Sequence, residues 1–174
     1  RMNPPELDDV ERRLDEIPKT PAGSVRGDLL AFYHPETLAQ ISALREYLLR
    51  RTSDGEIDHI DDWIRMVATN RLTGHSSGFF SVYTLPPNQA VSIESQLRIN
   101  EKRQQTPPLR NVAAIILKKT RTLLAKMAPL VDGCLWERGK AVQLITSQAD
   151  QTKEIRGGMI QLVVTSPPFL DVVN

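Results

Sequence analysis

MIQLVVT, residues 159–165, runs directly into SPPF, residues 166–169. The run is continuously apolar rather than alternating, apart from Gln161. That pattern fits a strand covered on both faces, as in a parallel sheet flanked by helices. AVQLIT, residues 141–146, reads as a companion strand. The polar stretch 147–158, with Gly157-Gly158 as its turn, separates the two. The expected fold class is therefore α/β: predominantly helical by residue count, with a truncated parallel sheet whose strands lie near 141–146 and 159–165. Two strands do not complete such a sheet, so further strands are expected from outside the chain.

Upstream, the apolar spacing is helical. Pro5 suits a first helical position, and Leu7, Val10, Leu14 and Ile17 then share one face. Pro35 opens a second helix to about Arg51, carrying Leu38, Ile41, Leu44 and Leu48. Ser53-Asp54-Gly55 breaks it, and a third helix follows with Ile57, Ile60, Ile64 and Val67, Trp63 beside them as a core residue. Residues 73–91 contain Gly74, Gly78 and Pro86-Pro87, which exclude a long helix. Phe79, Phe80, Val82, Tyr83 and Leu85 make this an ordered, aromatic-rich loop, with Phe79, Phe80 and Tyr83 read first as packing onto their own domain. Ser92 caps a helix to about Gln104. The last helix, about 109–130, has Val112, Ile116, Leu123 and Met127 on one side and Lys118, Lys119 and Lys126 on the other.

The chain has 174 residues, 40% apolar and 25% charged, which suits one ordinary globular domain. No apolar run approaches the ~20 residues of a membrane-spanning helix, and no signal-peptide pattern opens the chain. The single Cys134 forms no internal disulfide, and no Cys/His cluster has metal-ligand spacing. A cytoplasmic, metal-free protein is expected. The net charge of +1 hides an asymmetry. Residues 1–62 hold 14 acids and 8 bases, whereas residues 98–126 hold one acid, Glu101, and eight bases. A field of that sign attracts polyanions; the plainer reading is a solvated helix face.

A buried strand that ends in Ser-Pro-Pro-aromatic has chemical uses. Ligands of open α/β sheets sit beyond the carboxyl ends of the strands. Two prolines fix φ and remove two N–H donors, which leaves stiff, outward carbonyls. A hydroxyl and a rigid carbonyl together can hold an exocyclic amino group, and the following ring can stack on a planar base. This suits an enzyme that extrudes a base from the duplex and acts on its amino nitrogen.

TSPPF, residues 165–169, resembles the catalytic motif of the amino-directed DNA methyltransferases, of general form Asp/Asn/Ser-Pro-Pro-Tyr/Phe/Trp. Residues 61–92 and 96–103 are also similar to the stretch between the cofactor and catalytic motifs of bacterial enzymes of this type. The resemblance implies a Rossmann-like sheet, S-adenosyl-L-methionine as cofactor and DNA as partner. A leading Ser implies cytosine N4 as target, with adenine N6 as the alternative. It implies that Ser166 and the Pro167 carbonyl accept hydrogen bonds from the amino group, that Pro168 stiffens the turn, and that Phe169 stacks on the flipped base. The family's glycine-rich cofactor loop is absent from the sequence, and Gln148 of Gln148-Ala149-Asp150 stands where relatives place a cofactor-facing Asp. Gln148 or Asp150 would then meet the adenine. The expectation that follows is an interior fragment, with parts of the same protein missing upstream and downstream, that does not methylate DNA alone.

Three segments result: 1–56, helical; 57–132, a helical insertion suited to DNA recognition; and 133–174, part of the catalytic sheet. Lys and Arg give affinity for phosphates without sequence information. Arg71, Lys102, Arg103, Lys118, Lys119 and Lys126 are the candidates, while Arg71, His75, Asn88 and Gln89 could read base edges. The rival reading is a non-catalytic helical nucleic-acid-binding or interaction module.

Overall fold

The structure is a computed structural model that describes residues 4–85, 91–127, 143, 145–148 and 150–165. Its regular elements are helical: α1 (Leu7–Glu16), a 3-10 turn (Gly27–Ala31), α2 (Pro35–Ser53), α3 (His59–Thr69), α4 (Ile93–Arg103) and α5 (Val112–Met127). Local chemistry sets their ends. Pro35 pre-sets the first turn of α2, and the His34 ring accepts the Glu36 N–H. At α3 the Asp58 carboxylate accepts the Ile60 and Asp61 N–H groups while Asp61 accepts the Asp58 N–H, a closed capping box. Ser92 caps α4 at the Ser95 N–H, and Gln104 ends it in the left-handed conformation, φ 49°.

α5 sits at the centre. It packs against α1, α2 and α3, while α4 packs against the 3-10 turn. Val10 and Leu14 from α1, Leu38, Leu44 and Leu48 from α2, Trp63, Ile64 and Val67 from α3, and Val112 and Ile116 from α5 form one apolar core. Residues of both the 1–56 and 57–132 segments therefore meet in a single cluster. The buried seam of α5 includes a polar residue: Thr120 Oγ1 accepts the Trp63 Nε1–H at 3.1 Å, so the indole is buried with its donor satisfied. α2 also organises the start of α5. Thr37 Oγ1 bonds both the N–H and the carbonyl of Arg110, and Gln40 Oε1 accepts the Val112 N–H.

A charged cluster ties α1, α2 and α3 together. Asp61 is 0% exposed. Its carboxylate takes Arg13 Nη1 at 2.5 Å and Arg51 Nε at 2.8 Å, and Arg13 Nη2 reaches Asp58 at 2.8 Å. Burial is the largest single influence on Asp58 and Arg13 and opposes charge on both, but the hydrogen bonds and opposite charges around them together outweigh it. Arg13 and the Asp61 and Ile60 N–H groups hold the Asp58 carboxyl down to about 2, and Asp58 with Asp61 pushes the Arg13 guanidinium up.

The α/β expectation is corrected by the structure. Among the described residues there is no sheet and no strand, so the truncated Rossmann-like parallel sheet is absent there. The sole β-type pairing among them is an isolated parallel bridge between Gly74 and Tyr83. Residues 159–165 are not a strand, and Leu162, Val163 and Val164 are 78%, 75% and 87% exposed. Of 141–146, residues 143, 145 and 146 are not strand either; 141, 142 and 144 lie outside the described residues. The physical reason is that an extended backbone needs a neighbouring strand to take its N–H and C=O groups, and no such neighbour is present among the described residues. A short apolar run carries no information about whether that neighbour exists.

Candidate nucleic-acid interface

The loop that follows α3 is fixed by its own backbone. Phe80 N–H donates to the Arg71 carbonyl at 2.8 Å, Thr84 N–H to the Gly74 carbonyl at 3.2 Å, and Val82 N–H to the Phe32 carbonyl at 2.8 Å. The Gly74 N–H donates to Ser81 Oγ, and the Tyr33 hydroxyl donates to the Leu72 carbonyl. Phe80 is fully buried and anchors the loop in the core. Gly74 is required sterically, because a Cβ there would lie 2.5 Å from the Phe79 ring.

α4 braces the same loop. Gln96 Nε2 and Gln105 Nε2 both donate to the Tyr83 carbonyl at 3.0 Å, and both donate to Asn100 Oδ1 at 2.8 Å. Asn100 Nδ2 in turn donates to the Ala31 carbonyl at 2.7 Å. Gln96 and Asn100 are four residues apart on one helical face, which lets the two amides act together.

Two cations lie on this braced loop. The Arg71 guanidinium sits 4.2 Å from the Phe79 ring centroid, and the Arg103 guanidinium sits 3.8 Å from that of Tyr83. Both distances are those of cation–π stacks. The His75 ring lies 6.2 Å from Phe79, tilted. Arg71 is half-buried and its Nε is buried without a partner. Arg103 and Lys102 are exposed in the last turn of α4. Lys118 and Lys126 are exposed on α5, and Lys119 is half-buried.

The arginines divide by what they face. Arg12, Arg13, Arg26, Arg51, Arg65 and, at 3.9 Å, Arg98 pair with carboxylates. Among the described residues no carboxylate pairs with Arg71, Lys102, Arg103, Lys118, Lys119 or Lys126. The sequence locates the basic region but not this division, and it does not reveal Phe79 and Tyr83 as supports for guanidinium groups. The Gln96/Asn100/Gln105 brace also escapes it; the four-residue spacing of two amides on α4 is its one visible trace.

The other candidates fall in a separate region. Gln148 and Asp150 are exposed, and Gln148 bonds locally to Gln151 through its backbone and side-chain oxygens. A cleft of about 480 Å³ nearby is lined by residues including Ile145, Ile155, Met159 and Ile160, with Glu154 and Arg156 at its polar side; Gln148 and Asp150 do not line it. Ala149, Asn88, Gln89 and the motif residues Ser166, Pro167, Pro168 and Phe169 lie outside the described residues. Among the described residues, no helix is long and apolar enough to cross a membrane. No family model, curated protein or solved structure matches this chain.

Proposed function

We propose that this chain is part of a cytoplasmic, S-adenosyl-L-methionine-dependent DNA methyltransferase that modifies an exocyclic amino group, cytosine N4 as the first target and adenine N6 as the alternative. The observation that carries the reading is the tetrapeptide Ser166-Pro167-Pro168-Phe169 set directly after the apolar run 159–165. Ser166 Oγ and the Pro167 carbonyl would accept the two amino hydrogens of an extruded base, orienting the nitrogen lone pair, while Phe169 would stack on the ring. The methyl donor supplies an electrophilic methyl sulfonium. Gln148 and Asp150 do not fit the donor as they stand, since both are exposed and neither lines the adjacent cleft. The proposal therefore assigns this chain the base-holding role and derives no step through the cofactor. The cations without carboxylate partners on α4, α5 and the 71–85 loop support a DNA-facing role for the helical part.

The test is the nucleoside content of DNA from cells that express the natural gene encoding this chain. N4-methylcytosine or N6-methyladenine should be present by mass spectrometry and vanish with Ser166→Ala or Phe169→Ala at equal protein level. Absence of both modified bases from cells carrying the unmutated gene would refute methylation. Retained DNA binding in that case would favour the second reading, a helical binding module, which the unpaired cations support independently.

A further inference from the structure

The geometry points to the 71–85 loop and the end of α4 as a platform for unpaired nucleobases, on which the guanidinium planes of Arg103 and Arg71, backed by Tyr83 and Phe79, stack against bases of a single strand. This rests on the reading that the helical part binds nucleic acid, and it specifies which form of nucleic acid the loop takes.

Three observations carry it. First, each guanidinium lies over a ring, at 3.8 Å for Arg103 on Tyr83 and 4.2 Å for Arg71 on Phe79. A guanidinium seated over a ring on one side can receive a flat group on its other side. Every base has a π-face, so such a contact tolerates any sequence. Second, neither cation has a carboxylate partner among the described residues, so its charge remains available to a polyanion. Third, the platform is braced by hydrogen bonds before any ligand arrives. The Tyr83 carbonyl is held by Gln96 and Gln105, and the loop backbone is bonded to Arg71, Gly74 and Phe32. Little further ordering is then needed on binding. Arg103 is exposed, whereas Arg71 is half-buried, so Arg103 carries the larger share. A duplex hides base faces within its stack and would meet only the charge of these arginines.

Fluorescence anisotropy on the full 174-residue chain tests this, with a fluorescein-labelled 12-nucleotide single strand and a blunt duplex of the same sequence, each at 50 and 200 mM KCl. The single strand should bind more tightly. Arg103→Lys keeps the charge and loses the plane; it should weaken single-strand binding by about fivefold to tenfold while leaving duplex binding within about twofold. Tyr83→Leu should reproduce that selective loss. Lys118→Gln with Lys126→Gln should instead weaken both forms alike and flatten the salt dependence. If Arg103→Lys leaves single-strand binding unchanged, or both forms lose equally, the stacking platform is wrong and general nucleic-acid binding survives. If the unmutated chain binds neither form, the nucleic-acid reading of the helical part fails, and the platform with it. Circular dichroism of Arg103→Lys should match the parent, since the side chain is exposed.

Discussion

Replacing Asp61 with alanine should be among the most damaging single changes in the helical part. The carboxylate is fully buried and joins α3 to α1 through Arg13 and to α2 through Arg51. It also accepts the Asp58 N–H in the capping box. Breaking a buried ion pair by removing one partner typically costs about 3–5 kcal/mol. Here the two arginines are not left wholly alone. Arg13 retains Asp58 at 2.8 Å and Glu16 at 3.3 Å, and Arg51 retains Glu56 at 3.2 Å. These remaining partners offset part of the loss, while the missing cap bond adds about 1 kcal/mol. The expected destabilisation is therefore ~3 kcal/mol, near the lower end of that range. With a urea slope of about 2 kcal/mol per molar, the midpoint of unfolding should fall by roughly 1.5 M. The assay is urea titration followed by circular dichroism at 222 nm, with Asp62→Ala as an exposed comparison on the same helix. Because the pair is buried, 0.5 M NaCl should change the difference little. A midpoint shift for Asp61→Ala no larger than for Asp62→Ala would refute the argument that this cluster holds the three helices together.

Asp58 gives a pH dependence whose sign is fixed. Its carboxyl is about 2 in the folded chain against an ordinary 3.8, so the ionised form favours folding. That stability is complete above 3.8 and is lost as pH falls through about 2; the urea midpoint should drop across this window, and drop less in Asp58→Asn. Gly74→Ala places a methyl carbon 2.5 Å from the Phe79 ring, which must move; a destabilisation of about 1–3 kcal/mol is expected by urea titration. Thr120→Val removes the acceptor of the buried Trp63 N–H at nearly constant volume, costing about 1–3 kcal/mol, and Trp63 fluorescence should shift in the folded state.

Helices were legible wherever spacing and end chemistry agreed. Pro35 and Ser92 mark two starts that the structure places at Pro35 and Ile93, one residue after the Ser92 cap. The 3-10 turn Gly27–Ala31 carries no comparable signal in the sequence reading, because its five residues are too short for a helical period. Thr120 in the α5 seam and Asp61 in the core were also hidden. A polar residue reads as solvent-facing until its partner is known, and both partners, Trp63 and Arg13, are distant in sequence. The same logic separates the cations. Composition shows that residues 98–126 are basic, but only the fold shows that Asp9, Glu16, Asp28, Glu56, Asp58, Asp61 and Asp62 are engaged by arginines of the same half.

That division bears on function more than net charge does. Were Asp58, Asp61 and Glu56 free, their field would oppose a polyanion approaching the molecule. They are bound to Arg13 and Arg51, and Asp62 and Asp9 are bound to Arg65 and Arg12. Paired charges act at a distance as dipoles, and beyond ~8–10 Å in physiological salt their field is largely screened. Arg98 of α4 pairs with Glu94, but Lys102, Arg103, Lys118, Lys119 and Lys126 have no carboxylate partner among the described residues, so less of their field is cancelled locally. A chain with a formal net charge of +1 can thus present a strongly positive face. On the proposed nucleic-acid reading a salt dependence is expected: each phosphate neutralised by these cations would contribute a slope of about −0.9 for duplex and about −0.7 for a single strand in log affinity against log salt. Mutating Arg65, already paired with Asp62, should leave that slope unchanged, whereas Lys118→Gln should reduce it. Equal effects from the two changes would mean that pairing within the fold does not decide which cations meet the ligand.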